Sequence, residues 1–149
     1  MNTSQWRLRV TAGASDVARV STRRHQVAVG KPVDFDLESG HVSALEYALG
    51  ALAAEIVNGL RVFAKRRRIE IDHVEAVVDG QLENALTYLE VVGETGRPRL
   101  SGVSIKVYVA SPHDEAMLRG LWAETLERLP LVATFERACE LKIELTLTG

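Results

Sequence analysis

The 149-residue sequence predicts an α+β fold, one domain over residues 1–149 with antiparallel sheets around a long central helix. Three observations carry this. Several segments alternate β-branched and polar residues, the signature of half-buried strands. One long run, from Val42 to Gly59, is apolar or small at nearly every position. And the strands follow one another instead of alternating with helices, which argues against a parallel α/β sheet.

In chain order, residues 5–12 (QWRLRVTA) and 18–29 (ARVSTRRHQVAV) read as two strands with a turn at 13–16. Gly30, Lys31 and Pro32 break the pattern. Ser43 is a candidate N-cap, and Glu46 three residues later completes a capping box. The helix they open should run to about residue 68, with the basic run 65–68 on its C-terminal dipole. Alternation then predicts strands over 70–83, 87–92 (TYLEVV) and 100–110. A second helix follows, with apolar spacing at Met117, Leu118, Leu121, Trp122 and Leu126. After Pro130 the short segment LVATFERA leads to a last strand, CELKIELTLT. The expected order is β-β-α-β-β-β-α-β.

Composition narrows the function classes. The net charge of −2 exerts no global pull on nucleic acid or acidic membranes. The basic run 65–68 has no broad basic face or interleaved aromatics around it, so it reads as a solvated helix end. The first ten residues contain no apolar signal-peptide core, and Glu46, Glu55, Asn58 and Arg61 interrupt the only stretch near membrane-spanning length. A cytosolic protein with no membrane and no nucleic-acid partner is expected. His25, His41, His73 and His113 are dispersed, so no metal and no cofactor are expected. Cys139 stands alone, which excludes an intrachain pair of thiols.

Glu55 is the anomaly of the long helix. At 100° per residue from Leu45, the positions of Leu49, Leu52, Ile56, Leu60 and Phe63 fall between about −20° and +60°. Ala48, Ala51, Gly59, Val62 and Glu55 occupy a second arc from about −40° to −120°. A helix apolar over so wide an arc is covered on more than one side. A short chain has little to cover the second side, so a partner subunit is expected there, with Glu55 at or near its interface.

The residues ALEYALGALAAE, followed by GLRVFAKRRRIEIDHVEAVVDGQL, resemble the central helix and following strand of the OsmC/Ohr superfamily. Glu46 matches the family glutamate, and residues 51–54 match its small-residue run. The likeness continues through LSGVSIKVYVA to the last strand and reaches weakly upstream, covering roughly residues 20–147. It implies an intertwined homodimer whose long helices pack together between sheets of both subunits. It also implies a cysteine-based peroxidase that reduces organic hydroperoxides in a pocket at the dimer interface, assisted by an arginine and a glutamate.

The departures bear on that activity. Glu55 occupies the helix position of the reactive cysteine, Leu129 stands where the second thiol precedes the proline, and Ala44 replaces the proline that opens the motif. A carboxylate cannot pass through a sulfenic acid and a disulfide, and leucine cannot resolve one. The expectation is therefore an OsmC-like dimer that is not a peroxidase and binds a small apolar ligand in the interface pocket. Glu55, Arg23, Arg24 and Glu46 are the candidate pocket residues. Against this stand plainer roles: Glu55 paired with Arg61 or a partner arginine, Glu46 as a cap, Arg23 and Arg24 as surface strand residues. The competing function is an enzyme of the organic-hydroperoxide-detoxifying family with residual or altered chemistry, a residual peroxidase on the Cys139 thiol or an acid–base reaction at Glu55. A third reading is a purely structural dimer held by an intersubunit salt bridge at Glu55.

Overall fold

The computed structural model describes residues 2–149. They fall into two compact units, one ending at Ala48 and the other spanning Leu49–Gly149.

The first unit holds a three-stranded antiparallel sheet in the order β1 (Arg9–Ala12), β2 (Ala18–Thr22), β3 (His25–Val29). The single strand expected over 18–29 is a hairpin instead. Thr22 pairs with His25, leaving Arg23 and Arg24 as a two-residue turn with Arg23 at φ 50°. Nothing in the sequence announced it, because such turns are usually marked by Gly, Asn or Asp. Among the described residues of this unit only Ser43 is buried, and Trp6, Leu8, Val10, Phe35 and Leu37 are exposed.

Helix α1 (Ala44–Arg66) begins in this unit and runs into the second. Its capping box forms in both directions: Glu46 N–H donates to Ser43 Oγ at 3.1 Å, and Ser43 N–H to Glu46 Oε1 at 3.0 Å. At the other end Arg68 turns left-handed, at φ 57°. Ile69 N–H then reaches back to the Ala64 carbonyl at 2.9 Å and Arg68 N–H to that of Lys65 at 3.2 Å, a Schellman closure without glycine. By length and composition α1 could cross a membrane, but Leu52, Ile56, Leu60 and Ala64 are buried in a protein core.

The second unit contains that core. Its sheet runs β4 (His73–Glu83), β5 (Arg99–Ala110), β6 (Glu140–Leu147), with β5 in the middle. β4 and β5 are antiparallel, whereas β5 and β6 add a parallel pair to the α+β arrangement. A parallel return needs a crossover. Two helices supply it, α3 (Glu115–Leu126) and α4 (Pro130–Ala138). Asp114 caps α3 through a 2.8 Å bond from Met117 N–H. One face of the sheet presents Val103, Ile105, Val107 and Val109 to the core cluster that includes α1, Leu121 of α3 and Val132 of α4.

Residues 87–92 do not form the expected strand. A helical turn, α2 (Ala85–Tyr88), and a loop connect β4 to β5. Asn84, left-handed at φ 56°, donates from its amide to the Arg97 carbonyl, and Thr87 Oγ1 donates to the Thr95 carbonyl. These bonds close the loop on itself, and Leu86, Leu89, Val91 and Val92 stay exposed. Strand propensity there is overridden by this local bonding. The segment after Pro130 is helical. The observed order is therefore β-β-β-α-β-α-β-α-α-β.

Candidate functional site

The site is built where α1 meets α4. A helix begins with amide N–H groups that have no partner within it, and the residue at the N-cap usually satisfies one of them with a side-chain oxygen. The N-cap of α4 is Leu129, whose side chain cannot do this, and Pro130 follows with no N–H to satisfy. Glu55 supplies the acceptor from α1. Leu131 N–H donates to Glu55 Oε2 at 2.8 Å and Val132 N–H donates to Glu55 Oε1 at 3.1 Å. Both oxygens of a half-buried carboxylate are engaged at the positive end of the helix dipole. Among the described residues Glu55 makes no ion pair, so the pairing with Arg61 does not form.

Leu129 completes the joint. It is buried, and its side chain uses the room left by Gly59, one turn beyond Glu55 on α1. A Cβ at Gly59 would lie 2.6 Å from Leu129 Cδ2. The α1–α4 contact thus has an apolar part (Leu129 over Gly59) and a polar part (Glu55 with two amides).

The other sequence candidates lie elsewhere. Arg23 and Arg24 form the exposed hairpin turn of the first unit, and Glu46 is occupied in the capping box. In the same unit the Ser39 hydroxyl, the Asp36 amide and the Lys31 charge together hold the Asp34 carboxyl below its usual range. Cys139 is the C-cap of α4 and half-buried, its thiol 3.6 Å from the Phe135 carbonyl that accepts from it. Sequence reading missed the two amides at Leu131 and Val132 altogether. The signal that could have found them was an apolar residue at an N-cap followed by proline, a helix start without its own cap.

The sequence pattern of the OsmC-like protein family matches residues 37–144, more than two thirds of the chain and both halves of this joint. The chain belongs to the OsmC family. No curated protein matches it. Among solved structures it is similar to the OsmC-like protein from Mycoplasma pneumoniae, at TM-score 0.79 and 15% identity over 98% of this chain and 99% of that one. It is similar to the organic hydroperoxide resistance protein OsmC from Legionella pneumophila, at 0.69 and 14% over 97% and 99%. Likeness to the organic hydroperoxide resistance protein OhrB of Bacillus subtilis is 0.64 and 18% over 95% and 98%. At these identities the structures speak for the fold. Within the OsmC family this chain has one cysteine, Cys139, and at the two positions that the resemblance assigned to thiols it carries Glu55 and Leu129. Those two residues make the α1–α4 joint just described.

Proposed function

We propose that this OsmC-family chain is a homodimeric binding protein of the cytoplasm that does not reduce hydroperoxides by thiol chemistry. The observation that carries the reading is the engagement of Glu55: both carboxylate oxygens accept amide hydrogens of α4. A general acid or base must be placed to meet a substrate proton, and here each oxygen already accepts an amide hydrogen and the group is committed to holding a helix. Glu55 is therefore a structural clamp in our reading, and its position next to a ligand is secondary. Cys139 is a weak substitute for the family nucleophile, because its sulfur is half-buried and turned to a carbonyl of its own helix.

Two features support a dimer that holds a small apolar molecule. Ala51 and Val62 of α1 are exposed in the single chain, on the arc expected to face a partner. The β4–β5 loop also exposes four apolar side chains that a partner could cover. A second copy would cover such surface and close a pocket lined by small residues. The deciding experiment is consumption of an organic hydroperoxide in the presence of a dithiol, for the wild type and for Cys139→Ser. We expect no turnover above the reductant's background in either. Turnover that vanishes in Cys139→Ser would overturn the proposal and make Cys139 a relocated nucleophile.

A further inference from the structure

The C-terminal turns of α1 and the residues after them enclose an open cleft of about 610 Å³, within the usual size of small-molecule sites. Val62, Ile69 and Ile71 are its apolar lining, and Arg61, Lys65 and Arg68, all exposed, line it with positive charge. The chain reversal at Arg68 brings Ile69 and Ile71 beside the helix and so creates the hollow.

The charges of this region divide into two groups. Arg67 pairs with Glu124, and the guanidinium groups of Arg66, Arg67 and Arg128 lie over the Phe63 ring. Those cations have partners. Arg61, Lys65 and Arg68 make no ion pair among the described residues, and Glu70 is the one acid on the lining. Arg61 and Lys65 are four residues apart on one face of α1, where like charges repel each other, and Arg68, at the left-handed reversal beyond the helix, adds a third cation to the same cleft. The helix dipole offsets part of this, but its influence is confined to the last turn and Arg61 lies beyond it. Three unpaired cations beside an aliphatic lining are an arrangement that an anion would stabilise.

We propose that this cleft binds a small organic anion with an apolar body, the anionic group meeting Arg61, Lys65 and Arg68 and the body lying over Val62, Ile69 and Ile71. The proposal rests on the preceding reading in treating the chain as a binding protein, and since Val62 also lies on the arc that reading gives to a partner, the cleft borders that face of α1. Asn58, also on the lining, adds a neutral amide for a hydrogen bond to the ligand. A nucleic acid fits less well, since the lining has no aromatic ring on which a base could stack.

The test uses 1-anilinonaphthalene-8-sulfonate as the probe and N-phenyl-1-naphthylamine, which keeps the apolar body without the sulfonate, as its neutral counterpart. Fluorescence titration is run on the full chain, on the combined variant Arg61→Gln/Lys65→Gln/Arg68→Gln, on Val62→Asp, and on Lys106→Gln, which removes a cation from the exposed face of β5. We expect the sulfonate to bind, its affinity to fall with salt, and the triple variant and Val62→Asp each to weaken it about tenfold or more. Lys106→Gln should leave it unchanged, and the neutral compound should bind weakly to all four. Circular dichroism melts confirm that each variant is folded, and sedimentation equilibrium shows whether Val62→Asp keeps the wild-type assembly state; if it does not, the triple variant alone decides. Equal binding of both compounds, or a triple variant that binds the sulfonate like wild type, would overturn the proposal. So would loss of a dimer in the triple variant without loss of probe binding, which would make the three cations a subunit contact. Hydroperoxide turnover by Cys139 would refute the non-peroxidase reading and leave this result where it stands.

Discussion

At residue 55 a carboxylate does for a distant helix what a serine or aspartate does locally. Its two acceptors meet amides 76 and 77 residues further along the chain. Glu55→Ala should therefore leave the Leu131 and Val132 N–H groups unpaired and lower stability by about 1–3 kcal/mol. Glu55→Gln keeps one carbonyl acceptor but loses the charge at the helix start, so its cost should be smaller. Urea denaturation followed by circular dichroism measures both, and an unchanged midpoint for Glu55→Ala would show that the clamp contributes nothing. Half of this was legible in the sequence. A lone acid in an apolar helix stood out, as did its coincidence with the family's thiol position. Its partners did not, because no local pattern connects residue 55 with residues 131 and 132.

At the scale of elements, α1 works through two faces of different fate. The Leu52–Ile56–Leu60 stripe predicted by helical periodicity is the buried one, with Leu52 and Ile56 at 0% exposure, while Val62 on the second arc is 47% exposed. Ile56→Ala should cost about 2–5 kcal/mol, since it removes side-chain atoms from a filled core and leaves a cavity between α1 and the sheet. Chemical denaturation checks it. A cost below about 1 kcal/mol would mean that the core collapses around the gap. The elements misread from sequence share one cause. Residues 87–92 have strand composition but pair with no strand, and residues 18–29 turn back at two arginines that carry no turn signature. Propensity describes what a segment prefers, and pairing decides whether it can have it.

For the whole molecule, the apolar surface left on a single chain is the guide. The first unit has almost no interior of its own, and in the second α4 covers Glu55 and Gly59 of the small-residue arc while Ala51, Val62 and the β4–β5 loop remain uncovered. We expect sedimentation equilibrium to give a homodimer, and Ala51→Glu to shift it towards monomer by placing a charge on that arc. A monomeric wild type would remove both the dimer and the interfacial pocket. By itself the sequence determined the α+β class, the start of α1 at Ser43 and Glu46, the inward stripe of that helix and the lack of a second thiol. All of these depend on residue identity or on neighbours three or four positions away, distances over which backbone geometry is known in advance. Only the tertiary structure decided that β6 lies parallel to β5, that the loop after β4 is not a strand, that three cations share one cleft, and that Glu55 caps α4. Each of these joins residues far apart in the chain, and the free energy that joins them comes from packing and pairing that exist only once the chain has folded.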